Sequence, residues 1–318
     1  MMQKDILFID AACKSREKFL LGKDKYLRLI DSGSYEEGLK LLREYGFGKT
    51  AQEGDGLNEL IYAEEEDLID FIKDYAPKGG AKYYFLLPYD FMNGEALFKC
   101  KKLGLEEKYL THEGALSISE VKKALEGKPC AITELNEAFT EAEKLFDGEA
   151  PSGAMVDTVF LKYCYKAMQR LVKDKNVKKF IEREVDLKNI SVLLRCESLE
   201  EYQSMKLPYG TLSCEQEALL SGKDKGKITE AFKLNDLYDF ILKAVDDIGN
   251  PLTGYEKLAE SYNLSKLKEN RFFNRGTEPY LLYVSYRKAD LKNVRIVMVS
   301  LRSGIDKAVI KNKLRESY

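Results

Sequence analysis

The sequence predicts an all-α protein, and three observations support this fold class: helix-start signals, apolar residues at the helical period, and an internal repeat. The helix-start signals are capping boxes, in which a Ser or Thr accepts from the amide three residues on and a Glu or Gln there reaches back. The candidate pairs are Ser34/Glu37, Ser117/Glu120, Ser198/Glu201, Ser213/Gln216 and Thr253/Glu256. Mixed apolar and charged residues follow each pair, so each pair marks the start of a predicted helix.

Apolar periodicity defines the clearest helices. Residues 57–72 carry apolar side chains close to the helical period, and the Pro-Lys-Gly-Gly sequence at 77–80 then ends the predicted helix. Residues 228–248 show the same period. Alternating segments with hairpin turns are scarce, and residues 280–286 are the one place where a strand competes with a helix.

An internal repeat organises the chain. Three segments share the pattern Asp-x-x-Asn at a spacing of about 100 residues, at Asp90/Asn93, Asp186/Asn189 and Asp290/Asn293. Apolar residues follow each aspartate directly and again seven positions on: Phe91, Leu187, Leu291, Leu97, Leu193 and Val297. Matched copies at nearly equal spacing indicate a repeated helical unit.

The Asp-x-x-Asn pattern allows two structural roles. Residues three apart share one face of a helix, so the pair could hydrogen-bond across to neighbouring helices. Alternatively, the aspartate caps a helix start, which suits the first copy because Pro88 disfavours helix at Leu87. Neither role involves proton transfer, since an asparagine cannot serve as a general base.

Composition excludes several classes of function. Lys and Arg number 51 against 53 Asp and Glu, with both signs interleaved, so nucleic acid is not expected as a ligand. The 6 cysteines form no short paired spacing and are expected to be reduced and mostly buried. Residues 1–18 mix charged and apolar residues, so a secretory signal is not expected, and no apolar run is long enough to predict a membrane-spanning helix. Any membrane association is therefore expected to come through a partner.

Three features suggest chemistry but favour a structural interpretation. Gly48-Lys49-Thr50 resembles the end of a phosphate loop, but the first glycine is missing and a helix precedes it, so a helix C-terminal glycine turn is expected. His112 is the only histidine, so common zinc and catalytic spacings are absent, and we expect a loop histidine near Glu113. The acidic run 64–67 is expected to be a solvated helix face.

Beyond these patterns, residues 278–297 resemble the closing motif of the C subunit of bacterial V-type and archaeal-type ATPases, the counterpart of the d subunit of vacuolar ATPases. In that motif a proline and aromatic stretch leads to an acidic residue, Asn and Arg-Ile. Residues 186–195 resemble the family's Asp-x-x-Asn helix that ends in Arg, and residues 11–21 resemble its first helix. Residues 301–304 and 310–315 are similar to its basic tail.

The resemblance implies a non-catalytic rotor subunit without a cofactor or metal. It implies three related helical domains around a pseudo-three-fold axis, forming a funnel, with approximate boundaries 1–115, 116–212 and 213–318 and interleaved repeats. The funnel would accept central shaft subunits of the ATPase head on one side and meet membrane rotor-ring subunits on the other, at the cytoplasmic face of the cell membrane. The residues assigned a structural role are Asp90, Asn93, Asp186, Asn189, Asp290, Asn293, Arg195 and Arg295.

Two other functions remain open from sequence alone. The chain could be a free-standing helical repeat scaffold that binds other proteins. It could also be an enzyme whose carboxylates converge from distant segments into a pocket with shifted pKa values.

Overall fold

A computed structural model describes residues 5–52, 54–107, 110–146, 151–244, 254–269 and 277–318. Across these ranges the regular structure is α-helical and contains no strand, which confirms the all-α prediction. The helices are α1 Ile6–Glu17, α2 Lys23–Asp31, α3 Tyr35–Glu44, α4 Leu57–Tyr75, α5 Ala81–Leu103, α6 Ile118–Leu125, α7 Thr133–Lys144, α8 Gly153–Leu171, α9 Lys175–Arg195, α10 Leu199–Met205, α11 Cys214–Ser221, α12 Lys225–Phe232, α13 Tyr238–Ala244, α14 Tyr255–Glu269, α15 Glu278–Arg302 and α16 Lys307–Lys313.

The helices are divided between two compact units. One unit comprises Met1–Pro77 with Glu256–Tyr318, and the other comprises Lys78–Tyr255. In the first unit α15 is the central helix, because it packs against α1, α2, α3, α4 and α16. In the second unit α5 packs against α6, α7 and α8, while α9 packs against α10 and α11.

Residues 280–286, for which the sequence allowed either a helix or a strand, are helical and belong to α15. Pro279 stands in its first turn, where a missing N–H costs nothing. The sequence of this run is almost continuously apolar because this first part of α15 is surrounded by other helices and buries side chains on nearly all sides. The buried residues of the run are Tyr280, Leu281, Leu282, Tyr283, Val284 and Tyr286. A helix enclosed in this way has no polar face from which its period could be read.

Helix starts agree with the predicted caps to different degrees. Ser117 and Ser213 form complete capping boxes with the residues three positions on. Ser34 and Ser198 accept the expected amide, but the glutamates three residues on accept from the amide before the cap instead. Thr253 lies outside the described residues.

Two other predictions can be compared with the helix boundaries. The helix predicted from residue 57 is α4, which ends before Pro77 as expected. The helix predicted over 228–248 is wrong as a single element, because residues 233–237 separate α12 from α13 and the side chain of Asn235 accepts from the Leu237 amide at 2.8 Å. An Asn side chain that bonds nearby backbone in this way competes with helical pairing. Residues 245–248 lie outside the described ranges.

The glycine turn after α3 is confirmed. Gly46 has φ of +78°, and its amide donates to the Arg43 carbonyl at 2.9 Å. The Phe47 amide reaches back to the Leu42 carbonyl at 3.0 Å, which completes a C-terminal helix turn of the Schellman type. Gly48, the glycine of the Gly-Lys-Thr sequence, also has a positive φ of +72°, so backbone conformation explains both glycines without a phosphate ligand.

Candidate functional site

The first copy of the repeated motif binds the loop between α5 and α6. Asp90 accepts from the amides of Ala115 and Leu116, each at 3.0 Å. Asn93 lies one turn further along α5. It accepts from the Thr111 amide at 2.7 Å and donates to the His112 carbonyl at 3.0 Å. We call such an Asp-x-x-Asn pair, with the backbone that it binds, a latch.

The second latch repeats this geometry on α9. Asp186 accepts from the Thr211 amide at 2.6 Å and from the Leu212 amide at 3.3 Å. Asn189 accepts from the Leu207 amide at 2.8 Å and donates to the carbonyl of the same residue at 3.0 Å. The donating amides lie at the same sequence separations in both latches, 18 residues from the asparagine and 25 or 26 from the aspartate.

The third latch, on α15, draws its partners from two distant parts of the chain. Asn293 accepts from the Arg315 amide at 2.7 Å and donates to the carbonyl of the same residue at 3.1 Å. Asp290 accepts from the Leu21 amide at 3.0 Å and from the Tyr26 hydroxyl at 2.6 Å. The aspartate therefore binds a segment 269 residues before it in the sequence.

These contacts decide between the two roles that the sequence allowed. The motif residues bind across to other parts of the fold, although their partners are mainly loop backbone and not helices. The helix-start interpretation of the first copy is wrong, because α5 begins at Ala81 and continues through Pro88 past Asp90. A buried loop has no helical partner for its amides, so a carboxylate and a carboxamide on a neighbouring helix satisfy them instead.

The latch side chains are fully enclosed. All six are buried: Asp90, Asn93, Asp186, Asn189, Asp290 and Asn293. Hydrogen bonds to an ionised carboxylate contribute more than neutral ones, about 1.5–3 kcal/mol against about 1 kcal/mol. The hydrogen bonds of each latch therefore stabilise one helix-to-loop junction, and their contribution is a sizeable part of the small net free energy of unfolding of a domain.

Two glycines complete the first two latches, and we did not identify them from the sequence. A Cβ at Gly114 would lie 2.5 Å from an Asp90 carboxylate oxygen, and one at Gly210 would lie 2.4 Å from Asp186. Neither glycine has a positive φ, so the requirement is for space: next to the carboxylate at Gly210, and next to both the carboxylate and the Leu86 carbonyl oxygen, 2.3 Å from the Cβ position, at Gly114. Each begins a Gly-x-Leu-Ser sequence, at 114–117 and 210–213, and this second repeated motif could have been found by aligning the copies.

The third latch has an ion-pair cluster beside its aspartate. Glu64 pairs with Arg287, and Nη1 of this arginine lies 3.8 Å from Oδ2 of Asp290. Burial raises the pKa of Asp290 to about 6, while the hydrogen bond from Tyr26, that from the Leu21 amide and the arginine charge act in the opposite direction. Burial, followed by the charge of Asp290, also raises the pKa of Tyr26 well above its ordinary value.

The second latch shows the same desolvation effect. Burial raises the pKa of Asp186, and the hydrogen bonds from Thr211 and Leu212 oppose that rise. The ionised form of a buried carboxylate that is stabilised only by amide and hydroxyl donors is less favourable than in water, which accounts for the direction of the pKa shift.

Glu64 corrects one expectation from the sequence. The acidic run 64–67 was expected to be solvated, and Glu66 and Asp67 are exposed, but Glu64 is buried and also accepts from the Gly48 amide at 2.6 Å. It lies on the helix face that carries Leu60 and Leu68, so its burial follows from the helical period.

The remaining predicted site residues lie elsewhere. Arg195 is the last residue of α9 and Arg295 lies within α15, and both are exposed, unlike the six latch residues. His112 lies in the loop bound by the first latch, as expected of a loop histidine next to Glu113, although its side chain is buried. Of the cysteines, Cys130 and Cys214 alone are not buried.

The recurring polar residues of this chain hold backbone segments in place and are not gathered around a cleft. Among the described residues, no cluster of His, Cys, Asp or Glu is arranged to hold a metal ion. No helix in the same ranges is both long enough and apolar enough to cross a bilayer. The fold and the latches thus define an all-helical protein in which one polar motif occurs three times and binds backbone in each copy.

Comparison with known proteins identifies the family of this chain. A sequence profile described as ATP synthase (C/AC39) subunit matches residues 9–313. The chain belongs to this family, and the resemblance drawn from its motifs is confirmed. The C subunit of the V-type sodium ATPase of Enterococcus hirae is 19% identical over 327 residues, and the alignment covers 96% of each chain.

Proposed function

We propose that this chain is a non-catalytic central-stalk subunit of a V-type or A-type ATPase. It would couple the central shaft of the soluble head to the membrane rotor ring during ATP-driven or ATP-producing transport of protons or sodium ions. The observation that carries the proposal is the match of residues 9–313 to the ATP synthase (C/AC39) subunit family. The full-length similarity to the C subunit of a V-type sodium ATPase supports the same assignment.

The proposal includes three related domains, 1–115, 116–212 and 213–318, arranged as a funnel around a pseudo-three-fold axis. The latches support this division because each binds the loop that precedes a short helix. Leu116 precedes α6, Leu212 precedes α11, and Leu21 precedes α2, each with one capping residue between. In this scheme the long helix of each of the first two domains holds the start of the next domain, and the long helix of the third holds the segment between α1 and α2 of the first.

A mechanical role is consistent with the chemistry of the latches. Torque passed through a helical body loads the junctions between helices, because the helices themselves are stiff. Close-packed interiors have low compressibility and transmit strain. Buried, charge-assisted hydrogen bonds at each junction would resist sliding of a helix past the following loop. No step in this role requires a catalytic side chain or a cofactor.

The partners in this proposal are the shaft subunits of the head and the subunits of the membrane ring. The chain would lie at the cytoplasmic face of the membrane as a peripheral protein held by the complex. Each interface should bury well over about 1,000 Å² in total, as permanent assemblies do.

A tagged copy of the chain tests the proposal. Purified from membranes of its native host in mild detergent, it should retain ATPase head, shaft and ring subunits in mass spectrometry. Recovery alone, or with unrelated proteins, would instead favour a free-standing helical scaffold. An untagged strain processed in parallel controls for the background of abundant membrane ATPase.

A further inference from the structure

The third latch differs from the others in how its backbone partners are supplied. In the first two latches a single loop supplies every backbone partner, running from Thr111 to Leu116 in one case and from Leu207 to Leu212 in the other. In the third latch the asparagine binds Arg315 and the aspartate binds Leu21. Two segments from opposite parts of the sequence thus replace one continuous loop.

The two segments correspond to the two halves of the loop. Arg315 takes the place of Leu207, because in each case the asparagine binds both the amide and the carbonyl of one residue. Leu21 takes the place of Leu212, because each donates its amide to the aspartate and precedes the N-cap of a short helix. The segments are also adjacent, since a Cβ at Gly22 would lie 3.7 Å from the Tyr318 carbonyl oxygen.

Three of the four residues at 315–318, namely Arg315, Glu316 and Tyr318, bind other parts of the unit. The Tyr318 hydroxyl donates to Glu17 at the end of α1, at 2.8 Å, and its ring meets the Tyr286 ring edge to face at 5.7 Å between centroids. Glu316 pairs with Lys268 of α14. The segment therefore connects α1, α14 and α15.

We propose that residues 315–318 are a strap that locks α1 and the start of α2 onto α15 by completing the third latch. The strap satisfies Asn293, which lies one turn from Asp290 on the same helix face. Without the strap, the carboxamide of Asn293 loses its two backbone partners. Water can then reach the neighbouring hydrogen bond from the Leu21 amide to Asp290. The N-terminal segment should then open locally while the helices of the unit stay folded.

This inference rests on the equivalence of the latches and not on the rotor role. It can therefore fail while the chain still assembles into an ATPase, or hold in a protein that does not.

Hydrogen–deuterium exchange of the full chain and of a chain ended at Leu314 tests the strap. The shortened chain should exchange at least tenfold faster over residues 18–26. Exchange over 110–117 and 206–213, the loops of the intact latches, should be unchanged. Unchanged protection of 18–26 in the shortened chain would overturn the proposal, as would a uniform rise over all three segments.

A matched pair of point variants keeps the test decisive if the shortened chain fails to fold. Asn293→Ala should speed exchange in two segments that are distant in sequence, 315–318 and 18–26. Asn189→Ala removes the equivalent pair of backbone hydrogen bonds in the second latch. It should speed exchange in one continuous segment, 206–213. If Asn293→Ala leaves residues 18–26 as protected as in the unmodified chain, the strap does not lock the N-terminal segment.

Discussion

The Tyr26 hydroxyl lies 2.6 Å from Oδ1 of Asp290, although the two residues are 264 positions apart in the sequence. Both side chains are buried, and the hydrogen bond joins α2 to the middle of α15. This contact shows how the third latch ties an early helix to a late one within the same compact unit.

Tyr26→Phe should destabilise the fold by about 1–3 kcal/mol, because the buried carboxylate loses a hydroxyl donor that nothing else replaces. Chemical denaturation followed by circular dichroism measures the change. Tyr280→Phe is the matched control: its ring is equally buried, but its hydroxyl donates to a neutral carbonyl, that of Ile72, at 3.3 Å. A larger loss from Tyr280→Phe than from Tyr26→Phe would contradict the importance of the contact with Asp290.

The raised pKa of Asp290 predicts a pH dependence with a definite sign. Between its ordinary pKa of 3.8 and about 6, the folded state holds a proton that the unfolded state has lost. Stability from this group is therefore complete below about pH 4 and is lost as the pH rises through 6, by at most about 3 kcal/mol. Asp290→Asn removes the titration, so its stability relative to the unmodified chain should improve between pH 4 and pH 7.

Urea denaturation of both proteins across this range measures that difference, and the subtraction cancels the titration of the other carboxylates. A lower stability of Asp290→Asn at every pH is compatible with this prediction, because the NH2 group of the new asparagine would face the Leu21 amide or the Tyr26 hydroxyl, both of which donate to Asp290. The prediction concerns the slope alone. A flat difference, or one that favours the unmodified chain increasingly at higher pH, would show that the Asp290 pKa is not raised.

Gly114→Ala and Gly210→Ala should each destabilise the fold by more than about 2 kcal/mol. The added methyl group would meet a latch carboxylate at 2.5 Å or less, and at Gly114 also the Leu86 carbonyl oxygen at 2.3 Å, so that the loop must move and lose its hydrogen bonds. Thermal unfolding measures the effect. Gly153→Ala is the control, because no atom lies within 4 Å of its Cβ position in the first turn of α8, and it should be neutral or slightly stabilising.

Arg287→Met should cost about 3–5 kcal/mol, because it leaves Glu64 and Asp290 buried without their shared cation. Lys166→Met breaks an exposed pair with Glu137, whose side chains are 43% and 46% exposed, and should cost less than about 1 kcal/mol. Parallel denaturation curves compare the two variants. Equal losses would mean that the buried cluster contributes no more than a surface pair.

The proposed rotor role predicts which activity the latch variants spare. Asp290→Ala and Asn293→Ala should weaken folding or assembly of the complex while ATP hydrolysis by the detached head stays at its unmodified rate. Assaying hydrolysis by the isolated head, and coupled transport by membranes, separates the two effects. Selective loss of hydrolysis in the detached head would contradict a purely structural role.

Much of the local structure could be predicted from sequence because its causes are local. A capping box such as Ser117/Glu120 and a terminating glycine such as Gly46 act within one helical turn, so they can be recognised without knowing the fold. The repeated Asp-x-x-Asn pattern also indicated, without any coordinates, which polar residues recur. Where sequence inference failed, as at residues 233–237, a single side chain competed with an apolar period that continued past it.

The sequence by itself determined the all-helical class, the recurrence of the motif and the family to which the chain belongs. The tertiary structure alone decided what the motif binds: loop backbone at Thr111 and Leu207 in two copies, and two separate segments in the third. It also decided that Glu64 is buried. The physical reason is that helix formation depends on residues within a few positions, whereas a buried carboxylate is satisfied by whichever donors the folded chain brings to it, and those donors can lie at any distance along the sequence.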